Sequence, residues 1–324
     1  MAAFVPEQYK PEDDTTHEPG PESNYNESMY FNFYDRREKT GGWFRIGNRV
    51  NEGYAEMTCT IYLPNGHVLF RFDRPKIATN RAYDASGMKF ETITPWRHQR
   101  ITFSGKLHRL TQPMEMVDPK KALSQSERIP AELVLDVKGW SPIQRSERED
   151  TAAAKMDFYK EHYEQHCAVT GTLSFDGKTI SLEGVGLRDH SWGPRYWQGP
   201  KWYRWYTIDF SPTFGGMITV ICFPDGSVHR YGKFYRGETE AFTVTDFTAE
   251  EIWDDDGPEK IIKAFTLRAQ TTAGPREITG KVLSMLPLRN RREGMVTRIT
   301  EGMTEYRLGD EVGYGLAEYL DQMQ

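Results

Sequence analysis

The chain has 324 residues and a formal net charge of -6, enough length for a sizeable core and, at ~150 residues per domain, for two domains. The negative balance excludes a nucleic acid backbone as the main partner, because neutralising phosphates takes a basic face. No window approaches the ~18 consecutive apolar residues of a membrane span, so a soluble protein without stable membrane insertion is expected.

The start, Met1-Ala2-Ala3-Phe4-Val5-Pro6, has neither a basic n-region nor an apolar h-region, which points to a cytoplasmic protein. Residues 1–28 are rich in Pro, Glu, Asp, Asn and Ser and read as a loosely attached acidic arm. From Trp43 onward short alternating apolar runs are punctuated by Asn65-Gly66, Asp176-Gly177, Asp225-Gly226 and Asp256-Gly257, the turn pairs of antiparallel hairpins. Leu133, Leu135 and Val137 alternate, as do Val169, Gly171, Leu173 and Phe175, then Phe265 and Leu267. That period of two puts one face on a core. The class predicted is all-β, two tandem antiparallel barrels or sandwiches. Cys59, Cys167 and Cys222 are too scattered for a disulfide framework or a thiolate metal site.

An internal repeat supports two units. Trp43-Phe44-Arg45 precedes Pro64-Asn65-Gly66, and Trp202-Tyr203-Arg204 precedes Pro224-Asp225-Gly226, with Trp-to-Pro spacings of 21 and 22 residues. Turn chemistry alone explains the second element but not the aromatic-Arg start. The boundaries follow: a first β domain over 29–150, a linking helix over Thr151–His166, where helix formers run without Gly or Pro, and a second β domain over 167–324. On that helix His162 and His166 stand four apart, but the order His-Tyr-Glu-Gln-His is not a metalloprotease pattern and no third ligand presents itself, so no metal and no cofactor is expected. Glu164 is placed as the cap of a cavity.

Chemistry concentrates in Gly184–Arg195, GVGLRDHSWGPR. On a strand Arg188, His190 and Trp192 share one face and Asp189 points the other way; Gly193-Pro194 ends the strand. An imidazole can pass a proton and an indole can stabilise a cation, as a reaction at an apolar carbon requires. A buried Arg-Asp-His network that fixes barrel closure explains the same residues equally well. The next segment, Lys201–Phe210, aligns Tyr203, Trp205, Thr207 and Asp209 on one face and Arg204, Tyr206 and Ile208 on the other. Asp209 among aromatics loses hydration and becomes a candidate acid or water-orienting base.

Glu318 alternates with Tyr314, Leu316 and Leu320 on a last strand and is read first as an ion-pair partner of Arg188 or Arg195. Arg289, Arg291 and Arg292 read as a solvated turn rather than an anion site. Asp254-Asp255-Asp256 lacks the ligand spacing of a calcium loop and reads as a turn.

GVGLRDHSWGPRYW, with EQHCAVTGTLSFDG over Glu164–Gly177 and GYGLAEYL over Gly313–Leu320, resembles the superfamily of carotenoid 1,2-hydratases and AttH-like proteins. The resemblance implies two tandem lipocalin-like domains. It also implies a His-x-Trp pair at His190 and Trp192 and an acid at Asp209, with Thr207 standing where the family's second pair has Tyr. The leading expectation is therefore a cofactor-independent hydro-lyase or isomerase acting by acid-base chemistry on a terpenoid, steroid or acyl-type molecule. In it His190, Asp209, Asp189 and Trp192 are catalytic, and Arg195, Arg188, Trp205, Tyr206, Tyr203, Glu164 and Glu318 hold the substrate. A non-catalytic carrier of an apolar ligand, or a catalyst that shapes a polyene for cyclisation, remains open on the same residues.

Overall fold

Turn pairs set the local structure. In the computed structural model, which describes residues 4–145, 160–254 and 261–323, Asn65-Gly66, Asp176-Gly177 and Asp225-Gly226 each close a hairpin; Asp256-Gly257 lies outside the described residues. Asp176 and Gly177 both take positive φ, 52° and 69°, the geometry that matches the twist of the flanking strands. The Pro64 and Pro224 turns are alike in detail: Leu63 N donates to the His67 carbonyl at 2.9 Å and Phe223 N to the Ser227 carbonyl at 2.9 Å. Equivalent turns at equivalent places agree with the repeat.

The first sheet contains β1 (Tyr25–Asp35), β2 (Thr40–Arg49), β3 (Tyr54–Tyr62), β4 (Val68–Asp73), β5 (Tyr83–Ala85), β6 (Met88–Thr94), β7 (His98–Leu110), β8 (Glu127–Gly139), β9 (Gln144–Arg145), β10 (Glu161–Phe175) and β11 (Lys178–Pro194). Its order is β4-β3-β2-β1-β11-β10-β8-β7-β6-β5, with β9 on β10. β4 also pairs with β7 through Val68–Phe70 and His108–Leu110, which joins the ends of the path from β4 to β7 into a ring. The second unit is a closed barrel of β12 (Trp202–Ser211), β13 (Phe214–Cys222), β14 (Val228–Arg236), β15 (Glu240–Asp254), β16 (Ile261–Thr271), β17 (Gly274–Arg292), β18 (Met295–Leu308) and β19 (Glu311–Met323).

Two expectations change here. Glu161–His166 is strand, not helix, because this stretch finds partners on both sides, β11 and β9, whose backbone groups a local propensity cannot anticipate; residues 151–159 of the expected helix lie outside the described residues. The second unit begins at Trp202 rather than at residue 167. β11 pairs with β1 across some 160 positions of sequence, for example Met29 with His190, so the β10–β11 hairpin completes the first ring. The one α-helix among the described residues, α1 (Pro119–Gln125), was not foreseen; Asp118 caps it by accepting from Lys121 N at 3.2 Å.

Both interiors are packed. Phe31, Phe33, Phe44, Ile46, Leu133 and Leu135 fill the first, and Tyr206, Ile208, Phe265, Leu267 and Tyr306 fill the second. The units then meet through their outer faces. Tyr34 stacks on Tyr314 at 4.3 Å, Asn32 Nδ2 donates to Thr207 Oγ1 at 3.3 Å, and the Tyr62 hydroxyl donates to the Glu301 carbonyl at 2.8 Å. Gly186 and Gly315 allow close strand approach in the two units: a Cβ there would lie 1.9 Å from the Asn32 and Thr207 carbonyl oxygens respectively.

The expected loose arm is anchored. Asp14, fully buried, accepts from Trp96 N (2.5 Å), Gln99 Nε2 (2.7 Å), the Tyr163 hydroxyl (2.6 Å) and Arg188 Nη1 (2.7 Å). Phe4, Val5 and Tyr9 pack with Trp96, Tyr163 and Trp192, so the arm plugs the first ring.

Candidate active site between the barrels

Strand parity places the side chains. Arg188, His190 and Trp192 lie on the face of β11 that carries Leu182 into the first core; Asp189 lies on the outer face, toward the second barrel. On β10 the outer face carries His162, Glu164 and His166. The linker after Pro194 brings Arg195 and Trp197 across the same gap, and β12 and β19 present Tyr203, Trp205 and Glu318 from the opposite side.

All of these outward groups but His166 line a cavity of about 90 Å³, together with Ser28, Tyr30, Arg45, Thr219, Ile221 and Tyr231. It shares Tyr30, Arg45, Trp197 and Glu318 with a larger cavity of about 360 Å³. The predicted residues Asp189, Glu164, Arg195, Tyr203, Trp205 and Glu318 therefore do come together. Arg45, Tyr30, Trp197 and Tyr231 were missed; Arg45 belongs to the Trp-Phe-Arg repeat already read as a signal of fold, and its alternation with Trp43 was the cue to a second polar face.

The other predicted residues lie elsewhere. His190 is fully buried under the arm: its Nε2 donates to Glu27 Oε1 at 2.7 Å, and the hydroxyls of Tyr83 and Tyr163 lie 2.9 and 2.8 Å from Nε2 and Nδ1. Trp192 stacks on His17 at 4.0 Å. Arg188 pairs with Asp14, and so is not the partner of Glu318. Asp209 is sealed in the contact between the units, where Oδ1 lies 2.7 Å from His166 Nδ1 and Oδ2 has no hydrogen-bond partner; burial raises its pKa although His166 opposes the shift. Tyr206 is in the second core, its hydroxyl 2.9 Å from that of Tyr319. None of these five lines either of the two cavities between the units. Parity was read correctly, but the solid interior and the arm occupy the face on which His190 points.

The electrostatics of the cavity favour bound protons. Burial pushes Glu164 up to about 7, with Asp189 raising it further and His162 and Trp205 pulling it down. The Trp205 indole N–H, aimed at the Glu164 carboxyl, is the hydrogen-bond donor that opposes the rise. Burial likewise takes Glu318 to about 7, against a hydrogen bond from the Tyr203 hydroxyl and the charge of Arg195. Glu301, opposite Glu318 in the β18–β19 ladder, is pushed well above the usual carboxylate range by burial and by Glu318. Burial disfavours charge on His162, but the charge and hydrogen bond of Asp189 outweigh it, so His162 titrates above its ordinary value and Asp189 below. One acid is thus paired as an ion with histidine, while two are held near neutrality.

Ligand atoms of His162, Glu164 and Asp189 lie within 4.8 Å of one another, as do those of His17, Glu27 and His190, so either trio could hold a small cation. In the second trio every ring nitrogen of His190 and the shared Glu27 oxygen already has hydrogen-bond partners.

Solved structures share this architecture. A protein assigned as AttH, from Nitrosomonas europaea, superposes with a TM-score of 0.60 at 15% identity, covering 99% of each chain. CghA with Sch210972 matches at 0.56 and 11% identity, over 98% of this chain and 95% of that one. Kievitone hydratase from Nectria haematococca matches at 0.55 and 12%, over 91% and 88%. At these identities the likeness is one of fold. No curated protein matches the chain. The family model described as Domain of unknown function (DUF7064) matches residues 10–323, and the chain belongs to that family.

Proposed function

We propose that the cleft between the barrels is an active site for adding water to, or removing it from, an apolar molecule, or for shifting its double bond, by acid-base chemistry. The observation that carries this reading is the pair of buried carboxyls, Glu164 and Glu318, each held near pH 7 on the wall of one cavity. A buried group whose pKa lies near the working pH can both give and retrieve a proton. That a neighbour of the same fold is a hydratase by name supports hydration as the reaction class.

In the reaction, protonated Glu164 delivers its proton to one carbon of a C=C bond. The π pair becomes the new C–H bond and leaves a cation on the other carbon, which the ring faces of Trp205 and Tyr30 stabilise. Water forms the C–O bond and its proton returns to the Glu164 carboxylate. Loss of a neighbouring proton to Glu164 instead gives the shifted double bond. The His162–Asp189 pair orients Glu164 and the water, and Arg195 and Glu318 hold a polar group of the substrate. A space of about 90 Å³, below the ~300 Å³ of a pocket that holds a whole small ligand, admits the reacting end and not a whole terpenoid.

The test is incubation of the protein with a panel of terpenoid and prenylated alkenes in H₂¹⁸O, read by mass spectrometry. A product carrying one added heavy water, formed by the wild type and lost in Glu164→Gln, is expected. Equal product from the variant, or recovery of a co-purified ligand always unchanged, would remove the assignment and favour a carrier.

A further inference from the structure

The basic run Arg289–Arg292 does not lie in a solvated turn; it is the end of β17 and walls two cavities. The larger, of about 360 Å³, has an apolar body of Trp43, Phe70, Phe72, Met116, Leu123 and Leu288, and Phe72 remains 45% exposed at its lip. The adjoining one, of about 230 Å³, shares Glu56, Arg74, Trp197, Asn290 and Arg291 with it and adds Arg49, Glu52, Tyr54 and Arg292. The two thus collect Arg45, Arg49, Arg74, Arg289, Arg291 and Arg292 against Glu52 and Glu56 at the mouth, with Glu301 and Glu318 deeper. Arg45, Arg49 and Arg74 all reach Glu56, which is ionised below its ordinary range, and Arg49 and Arg292 reach Glu52 at 2.9 and 3.0 Å, so four arginines share two carboxylates while Arg289 and Arg291 add two more cations. Glu301 Oε2, buried in the wall of the larger cavity, has no hydrogen-bond partner and offers a polar handle partway along it.

An excess of arginine beside an apolar slot is an arrangement for a ligand with two ends of different chemistry: guanidinium forks match carboxylate and phosphate oxygens, and the slot takes hydrocarbon. We infer that the cleft takes an amphipathic anion, its apolar chain along Trp43, Phe70 and Leu123 and its carboxylate or phosphate held by Arg74, Arg291 and Arg292. This rests on the reading of the cleft as a ligand site and adds the substrate class: the anionic end stays at the mouth while the far end reaches the Glu164 cavity.

The experiment titrates the full-length protein with dodecanoate, dodecyl phosphate and dodecanol, following the intrinsic tryptophan fluorescence, to which Trp43 and Trp197 in the cavity walls contribute. At least tenfold tighter binding of one or both anions than of the alcohol is expected, and which anion wins identifies the head group. Arg291→Gln, at an exposed position, and the double variant Arg74→Gln/Arg291→Gln should each bring the anions toward the alcohol, while dodecanol binding stays unchanged and reports an intact fold. Equal binding of all three ligands to the wild type, or an anion preference that survives the double variant, overturns the inference and leaves the apolar cleft standing. No binding of any of them overturns both the inference and the ligand-site reading.

Discussion

Glu164 is 3% exposed and titrates near 7, against 4.5 for an ordinary glutamate. A carboxyl whose folded pKa is raised contributes stability that is fully present below pH 4.5 and is lost as pH rises through 7, on the order of 3 kcal/mol for such a shift. Glu164→Gln should therefore abolish turnover yet raise the urea midpoint at pH 8.5, with little change at pH 4.5; a variant less stable than wild type at pH 8.5 would contradict the shift. Activity of the wild type should fall as pH rises past about 7, because the acid form is consumed, and a rate that climbs steadily to pH 9 would oppose it. At His166 the expected effect is structural. Its removal leaves Asp209 buried without its partner, so His166→Ala should cost about 3–5 kcal/mol in urea unfolding. Asp209→Asn should cost much less, since no charge is then stranded.

At the scale of elements, the arm is held by a clasp of titrating groups. His17 faces Asp13 and Glu27, stacks on Trp192, and lies 5.8 Å from the His190 ring. Burial disfavours its charge, but Glu27 and Asp13 raise its pKa above 6.5; burial opposes charge on Glu27 too, yet His17 and His190 hold it at about 2. The His17 contribution is complete below pH 6.5 and is lost as pH rises through its higher folded value. The Glu27 contribution is complete above 4.5 and is lost as pH falls toward 2. The clasp is tightest between about 4.5 and 6.5. Limited proteolysis of residues 4–24 should accordingly run faster at pH 8.5 than at 5.5, and His17→Ala should flatten the difference; a wild-type arm cut at one rate across that range would refute the clasp. The arm also shows where sequence reading stops. A run of Pro, Glu and Asp is indistinguishable by composition from a loose tail, and only the cavity that Asp14 enters makes it part of the core.

In the molecule as a whole, both faces of β10 over 163–167, of β11 over 186–193 and of β12 over 206–210 are largely buried, one in a barrel core and the other between the units. Alternation in sequence could therefore sort Asp189 from His190, and Tyr203 from Tyr206, but not say which face meets a cavity. The hairpins, the repeat and the all-β class were legible because turn residues and period-two patterns are local. The β1–β11 ladder, which sends His190 inward, joins segments far apart in sequence and leaves no local trace. Because the units share Tyr34–Tyr314, Asn32–Thr207 and His166–Asp209 across their contact, thermal unfolding should be one cooperative transition, and two separated transitions would show that the contact is weaker than it looks.

Proton transfer in the cleft requires protonated carboxylic acids there at neutral pH. The most direct measurement is a carboxyl-carbon NMR titration of the ¹³C-glutamate-labelled protein, with the Glu164 resonance assigned by its loss in Glu164→Gln. A midpoint close to 7 is expected; a midpoint at the ordinary 4.5 would leave Glu164 ionised at neutral pH, with no proton to deliver, and contradict its assignment as the acid.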